Sequence, residues 1–295
     1  MNRATASLVA LALAFGVPGC GNKPQADSGT PEAATKSEQS TGTYVINELR
    51  LKRKDLSIFG QVYLPGDGAG IYPTVIIGHE YGADHNSVAQ YAGIFAKAGF
   101  AAYIFDFCGG GSTSRSDGTL LEMSVMTEVA DMKAVLDQIL AQSFVDRKNV
   151  FLMGASQGGL VAALTAAERA ADLKALILYY PALVIPDNAR VRFSSVQEIP
   201  ERNDNLGIIV GRPYFADVLN LQVYDTIGAF TKDVLIIHGD SDRLVPLAES
   251  ERAIEVYPSA TLIPIDGSDH VFHGKHAVQA GLKTVEFLQA HLSLR

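Results

Sequence analysis

A single short stretch, residues 149–159, limits the fold of this chain more than any other. It joins the apolar run 150–153 to the pentapeptide Gly154-Ala155-Ser156-Gln157-Gly158, and an Ala/Leu-rich run follows. This order predicts a buried strand, a tight turn and a helix, with Ser156 in a strained conformation at the turn. Glycine at 154 and 158 leaves room for such a turn. The alternative is a serine that simply caps the following helix.

Apolar runs and helical patterns alternate over much of the remaining chain. Strands are predicted at 73–78, 101–107, 149–154, 173–179, 233–238 and 260–265, and helices at about 87–98, 122–142, 157–169, 247–257 and 276–292. The alternation predicts an α/β fold with a mostly parallel central sheet and helices on both faces. β-rich runs at 44–51 and 56–64, joined by the polar segment 52–55, predict an antiparallel edge hairpin. Residues 44–295 are expected to form one domain.

The stretch 181–232 interrupts the alternation, because a short crossover would suffice between the two core strands that it separates. Long connections of this kind are usually functional, so we predict a lid insertion above the carboxyl edge of the sheet. Four aromatic residues of the insertion form either a pocket wall or a small core of their own: Phe193, Tyr214, Phe215 and Tyr224. Three arginines either meet a substrate carboxylate or are merely solvated: Arg190, Arg192 and Arg212.

Two downstream loops carry the partners that turn a serine hydroxyl into a nucleophile, a general base and a carboxylate. His238-Gly239-Asp240-Ser241-Asp242 follows one apolar run, and Asp266-Gly267-Ser268-Asp269-His270 follows the next. Because these loops and Ser156 all follow strands, they are predicted to meet at the carboxyl edge of a parallel sheet. We therefore predict a catalytic triad of Ser156, Asp242 and His270, in the order serine, acid, histidine.

Each loop also offers a second residue of the same type. Asp242 lies past the strand end, from where it can reach the histidine loop, whereas Asp240 is expected to bond local backbone amides. His270 comes first after its strand, and His273 is expected at the rim or as a helix cap. His238 is expected only to end its strand.

An oxyanion hole requires N–H donors aimed at the oxygen on which charge develops. One predicted donor is the backbone N–H of Gln157, the residue after the serine. The second is the backbone N–H of Tyr81, in the loop Gly78-His79-Glu80-Tyr81-Gly82 that follows an earlier strand. The alternative is a plain turn that holds a buried histidine.

These motifs together resemble the α/β-hydrolase superfamily. More narrowly, the runs 105–112, 154–159, 180–182 and 185–190 are similar to the cinnamoyl/feruloyl esterases of gut bacteria, and the resemblance extends from about residue 44 to the C-terminus. It implies a serine carboxylesterase that acts through an acyl-enzyme on a hydroxycinnamate linked to plant cell-wall polysaccharide, or on another small ester. Other expectations are a short-chain acyl esterase, a dienelactone-type or peptidase-like hydrolase, or a lipid-anchored binding protein without turnover.

Glu80 departs from the esterase pattern, in which glycine usually follows the histidine. Glutamate at this place is similar to dienelactone hydrolases, whose nucleophile is cysteine, yet this chain has Ser156 at the turn. Glu80 is expected either to tune the nucleophile or the histidine, or only to hydrogen-bond within its loop.

The N-terminal residues predict export. Arg3 precedes the apolar run 8–17, which is too short to span a membrane as a helix, so residues 1–19 read as a signal peptide. Val17-Pro18-Gly19-Cys20 resembles a bacterial lipobox with Cys20 as the lipidated residue; the alternative is an ordinary secretory signal. Residues 20–43 are expected to be a flexible linker. The resemblance implies a lipid-anchored protein of the bacterial envelope, at the outer membrane or in the periplasm.

Composition excludes several classes of function. The formal net charge of −8 argues against nucleic-acid binding, which needs basic patches. Cys20 and Cys108 are the two cysteines, so Cys108 is expected to lack a disulfide partner and to lie either near the site edge or in the core. No cysteine or histidine spacing suggests a metal site, and we expect neither a metal nor a cofactor.

Overall fold

The computed structural model describes residues 44–293 of the chain. Its strands are β1 (Tyr44–Glu48), β2 (Leu51–Arg53), β3 (Leu56–Ile58), β4 (Gly60–Pro65), β5 (Tyr72–Gly78), β6 (Ala101–Phe105), β7 (Val145–Ala155), β8 (Ala175–Tyr179), β9 (Arg202–Asn205), β10 (Ile208–Gly211), β11 (Val234–Gly239) and β12 (Ala260–Ile265). Its α-helices are α1 (Ala89–Lys97), α2 (Val125–Leu140), α3 (Gln157–Glu168), α4 (Ile185–Arg192), α5 (Arg212–Ala216), α6 (Val223–Ile227), α7 (Leu247–Val256) and α8 (Gly274–Ala290). The predicted signal peptide, the linker and Cys20 lie outside the described residues.

The central sheet has eight strands in the order β1-β4-β6-β5-β7-β8-β11-β12. The six strands from β6 to β12 in this order run parallel, whereas β4 is antiparallel to β6 and β1 is antiparallel to β4. Parallel neighbours need crossover connections, which place helices over both faces of the sheet. The predicted α/β fold with a mostly parallel sheet is confirmed.

Alternate side chains of the inner strands supply two apolar cores, one on each face of the sheet. In β7, Leu152 belongs to the core that contains the buried residues of α2 and α3. Phe151 and Met153 belong to the core that contains those of α1 and α8. Because both faces are covered, the inner strands are continuously apolar, and polar side chains collect in the loops at the strand ends.

The edge hairpin is present, but its predicted limits were wrong. β1 pairs with β4, and the residues between them form a second, separate pair, β2 with β3. Lys52 and Arg53 were expected in the connecting segment, yet both lie in β2. The guanidinium of Arg53 pairs with the buried carboxylate of Asp131 on α2, and this contact holds the polar residue in the strand.

The chain between β8 and β11, predicted as an insertion, contains α4, α5, α6 and the antiparallel hairpin β9–β10. The hydroxyl of Tyr81, in the loop after β5, donates to the carbonyl oxygen of Asn205 at 3.1 Å. The guanidinium of Arg192 donates to the carbonyl oxygen of Asp204 at 2.7 Å. The hairpin is thus fastened both to the loop after β5 and to α4.

Within the described range, none of the helices combines the length and apolar character needed to cross a bilayer.

Candidate active site

Ser156 lies at the junction of β7 and α3 in an unusual backbone conformation. Its φ is 52° and its ψ is −118°, so the residue carries the strain that the sequence predicted. A Cβ on Gly154 would lie 2.0 Å from the carbonyl oxygen of Gly158, and one on Gly158 would lie 2.4 Å from that of His79. Both positions therefore require glycine because the backbone passes so close.

Ser156, His270 and Asp242 form one hydrogen-bonded chain. The Oγ of Ser156 lies 2.8 Å from Nε2 of His270, and Nδ1 of the same ring lies 2.7 Å from Oδ2 of Asp242. The three residues come from the ends of β7, β11 and β12, which lie at the same edge of the sheet. In this arrangement His270 can accept the serine proton, while Asp242 fixes its tautomer.

Asp242 is held as an anion by four hydrogen bonds. Its Oδ1 accepts from the backbone N–H groups of Leu244 and Val245, each at 2.9 Å. Its Oδ2 accepts from His270 and from Nε2 of His238, which is 3.0 Å away. Burial alone would raise the pKa of Asp242, but these hydrogen bonds outweigh it and hold the pKa well below its usual range.

The neighbouring candidates occupy other positions. Asp240 accepts a hydrogen bond from the backbone N–H of Gly267 at 2.8 Å, so it fastens the two loops together. His273 stands at the N-cap of α8 without a side-chain capping bond. His238 does end β11, but its ring also contacts Asp242, which the sequence did not indicate.

The backbone N–H groups of Tyr81 and Gln157, the predicted oxyanion donors, belong to residues that line the same cavity as Ser156 and His270. Gln157 begins α3, where N–H groups have no partner within the helix. Among the residues that the structure describes, neither N–H donates to a protein acceptor. His79, in contrast, is a buried histidine whose ring nitrogens meet backbone groups of Glu80 and Phe107. The loop therefore combines a buried histidine with a residue, Tyr81, that lines the same cavity as the serine.

The side chain of Gln157 belongs to a buried polar cluster. Its Nε2 donates to Oε2 of Glu128 at 2.9 Å, and its Oε1 accepts from the hydroxyl of Tyr214 at 2.8 Å. Burial raises the pKa of Glu128 to about 8, although the bond from Gln157 opposes the shift. Sequence reasoning missed Glu128, yet a signal existed, since it lies on the apolar face of α2 beside Val125 and Val129.

Glu80 contacts neither the serine nor the histidine of the candidate triad directly. Its Oε1 accepts from the hydroxyl of Tyr180 at 2.9 Å, and its Oε2 accepts from that of Ser87 at 2.5 Å. The Tyr180 ring in turn lies 4.9 Å from the His270 ring, centroid to centroid. Tyr180 has a φ of 35°, a second strained residue in the site.

The serine opens into a cavity of about 400 Å³, which is within the range of small-molecule sites. Most of its lining is apolar and comes from the insertion and the two triad loops: Val184, Ile185, Leu206, Ile208, Phe215, Leu244 and Val271. Asn188 and Asn205 add uncharged polar groups, and Glu80 adds the carboxylate.

The arginines of the insertion do not line this cavity. Arg190 pairs with Asp187 and donates to backbone carbonyls, and Arg212 pairs with Glu201. Arg192 lies over the ring of Phe215 at 4.8 Å. These arginines thus contact other residues of the insertion rather than the cavity, and Arg190 and Arg192 remain exposed to solvent, as the second alternative expected.

The four aromatic residues of the insertion, predicted to form either a pocket wall or a small core, do not all take the same role. Tyr214 and Phe215 line the cavity, while Phe193 packs edge-on against Phe215 at 5.2 Å. Tyr224 is elsewhere, with its hydroxyl on Glu249 and the guanidinium of Arg252 over its ring.

Asp84, His85 and Asp106 form a cluster of three side chains with metal-ligating atoms. These atoms already form hydrogen bonds within the protein, since Asp106 accepts from His85 and Asp84 accepts from Thr113.

Cys108 is buried among the apolar side chains of one core, so of the two alternatives it occupies the core. Burial holds the pKa of its thiol well above the usual range.

The sheet, the strained serine at the turn after β7 and the loops that follow β11 and β12 are those of the α/β-hydrolase fold. The α/β-hydrolase fold that the motifs predicted is therefore confirmed, and the chain resembles esterases of this fold.

Comparisons with known proteins agree with this placement. Residues 71–202 match a family model described as serine aminopeptidase, S33. A structure of Est1E from Butyrivibrio proteoclasticus with ferulic acid bound is 26% identical, with a TM-score of 0.75, over 82% of this chain and 98% of that chain. A second Est1E structure is 24% identical, with a TM-score of 0.72, over 83% and 98%. The structure of DcsB in complex with its substrate analogue is 20% identical, with a TM-score of 0.71, over 84% and 100%.

Proposed function

We propose that the protein is a serine carboxylesterase that works through an acyl-enzyme. The observation that carries this proposal is the chain of hydrogen bonds from Ser156 through His270 to Asp242, at 2.8 and 2.7 Å, on the wall of an apolar cavity. Ser156 Oγ attacks the ester carbonyl while His270 Nε2 takes its proton. The backbone N–H groups of Tyr81 and Gln157 stabilise the oxyanion. His270 then protonates the leaving alcohol, and water hydrolyses the acyl-enzyme by the same steps.

The proposed substrate is an uncharged ester with an aromatic or otherwise apolar acyl group, of the hydroxycinnamoyl type. Two observations support this class. The cavity is mainly apolar, and ferulic acid is the ligand in the similar Est1E structure. A substrate carboxylate, in contrast, would meet Glu80 and find no lysine or arginine among the described lining residues. This disfavours a dienelactone-type substrate that carries a free carboxylate.

The experiment compares hydrolysis of p-nitrophenyl acetate and methyl ferulate by the purified full chain and by Ser156→Ala. Hydrolysis of both esters by the parent and of neither by the variant is the expected result. Ser259→Ala is the matched control, because Ser259 pairs with Asp233 at the opposite edge of the sheet and should retain activity. Hydrolysis of acetate alone would remove the hydroxycinnamoyl assignment but keep the esterase. No hydrolysis of either ester would favour a binding protein that keeps the fold without turnover.

An aminopeptidase is the second candidate, because the matching family model carries that description. Glu80 supplies a carboxylate to the cavity that can pair with a substrate amine. Leucine p-nitroanilide tests this candidate, since an aminopeptidase would cleave it and Glu80→Gln would mainly raise its KM. The esterase proposal expects no cleavage of this amide.

The proposal also places the enzyme in the bacterial envelope, anchored by lipid on Cys20. Its support is the sequence 17–20, which resembles a lipobox, after the apolar run 8–17. One chain gives only reversible membrane binding, so stable anchoring needs the several acyl chains of a lipoprotein. Radiolabelled palmitate should label the parent in bacterial cells and leave Cys20→Ser unlabelled. Equal labelling of both proteins, or of neither, would refute the anchor.

A further inference from the structure

His238 shares the carboxylate oxygen on which the proposed base depends. Its Nε2 lies 3.0 Å from Oδ2 of Asp242, the same oxygen that accepts from Nδ1 of His270 at 2.7 Å. The side chains of His238 and Asp242 are fully buried. Water therefore does not substitute for this contact in the folded protein.

The surroundings of His238 fix the direction of that hydrogen bond. Nε2 also lies 3.0 Å from the carbonyl oxygen of Val245, and neither a carbonyl nor a carboxylate can donate, so Nε2 carries a hydrogen. Nδ1 lies 2.7 Å from the hydroxyl of Ser250 on α7, which can donate to it. His238 is thus held from both sides as a donor toward Asp242.

We propose that His238 is a positioning residue of the esterase. It holds Oδ2 of Asp242 in place, and its N–H reduces the negative charge that this oxygen presents to His270. This inference rests on the proposed function, since it assigns His270 as the base. A carboxylate oxygen that accepts two N–H groups divides its charge between them. Without the donor on His238, the carboxylate would stabilise the protonated ring of His270 more strongly, and the base would become available only at higher pH.

Other charged groups near this pair belong to the same set of loops. In the described part of the chain, the ionisable groups in contact with Asp242 are His238 on β11 and His270 before α8. From α7, the contact to His238 is the uncharged Ser250. His270 also meets Ser156 and the ring of Tyr180, whose hydroxyl is bonded to Glu80. The carboxylate of Asp269 accepts from the backbone N–H of His270 at 2.8 Å, and it is present in the parent and in every variant.

The test compares the full chain with His238→Phe and His238→Gln in two measurements. One is the pH dependence of kcat/KM with p-nitrophenyl acetate, which reports the free enzyme. The other is the NMR titration of the His270 ring, which needs no substrate. In His238→Phe both midpoints should move to higher pH by about one unit, which is a tenfold loss of rate well below the midpoint. His238→Gln retains an N–H donor and should restore most of the parent profile.

His291→Phe is the matched control, because His291 Nε2 lies 3.1 Å from Asp233 at the other end of β11 and should leave both midpoints unchanged. Ser250→Ala is the milder variant if His238→Phe does not fold, and it should give a smaller shift in the same direction. Titration midpoints that coincide in all variants would overturn the inference, as would a fall in kcat without a displaced midpoint. If the parent hydrolyses no ester, the proposed function fails, while the NMR titration still decides the role of His238.

Discussion

The hydroxyl of Tyr180 lies 2.9 Å from Oε1 of Glu80, and this hydrogen bond joins the end of β8 to the loop after β5. Tyr180 is fully buried, and its ring packs against His270. Glu80 is therefore linked to the candidate base through Tyr180. Its charge and its hydrogen bond can be tested separately.

Glu80→Gln should keep an acceptor for Tyr180 while it removes one negative charge from the cavity. Because that charge favours the protonated ring of His270, the acidic limb of kcat/KM should move to lower pH in the variant. Tyr180→Phe removes the hydrogen bond and keeps the charge, so its acidic limb should stay in place. A Glu80→Gln profile identical to that of the parent would restrict Glu80 to holding its loop.

Asp242→Asn should lower kcat by about 10³- to 10⁴-fold, because an amide cannot hold His270 in the tautomer that accepts the serine proton. Asp240→Asn is the matched control in the same loop. It should retain most of kcat, since Asp240 bonds the backbone of Gly267 rather than the histidine. Steady-state kinetics with p-nitrophenyl acetate measure both variants. Comparable losses of kcat in the two would show that the choice of acid is wrong.

Glu128→Gln should make the protein more stable at alkaline pH. Burial raises the pKa of Glu128 to about 8, above its ordinary value of 4.5. The native state therefore holds a proton that the unfolded chain releases, so the parent loses stability as the pH rises from about 4.5 to 8. The variant escapes this loss of stability, which is of the order of 5 kcal/mol. Thermal unfolding between pH 5 and pH 9 should give a growing difference in Tm, and a constant difference would contradict the account.

Gly154→Ala should destabilise the protein by more than about 3 kcal/mol, because the new Cβ would overlap the carbonyl oxygen of Gly158. Gly207→Ala is the control, because it introduces backbone strain without steric overlap. Gly207 has a φ of +83° and no atom within 4 Å of an added Cβ, so only conformational strain of about 1 kcal/mol is expected. Urea unfolding of both variants measures the difference. Equal losses would refute the steric argument.

Elements with strong periodicity were predictable from the sequence. β12 was predicted at 260–265 and is found at Ala260–Ile265. α2 was predicted at about 122–142 but begins at Val125, because Ser124 and Thr127 form a capping box that the apolar pattern does not reveal. β7 begins at Val145 rather than at 149, since the polar residues 146–148, two of them exposed, hide the pairing of Val145 with Tyr72.

The candidate site was predictable where a motif follows a strand. Ser156, Asp242 and His270 come together because parallel strands present their carboxyl ends at one edge. The roles of Tyr180 and His238 were not predictable from the sequence. His238 reaches Asp242 only four positions along the chain, but this contact depends on the conformation of the loop after β11, which the sequence pattern does not reveal. Tyr180 reaches Glu80 across one hundred positions, and a single sequence carries no record of that pairing.

Labelling of the folded chain with a fluorophosphonate is the most direct test of the central claim, that Ser156 is a nucleophile activated by His270. Intact mass and peptide mapping should find one adduct on Ser156 in the parent. Ser156→Ala should carry no adduct, and His270→Ala should react far more slowly. A folded parent that stays unlabelled, or a Ser156→Ala variant labelled as fast as the parent, would contradict the claim.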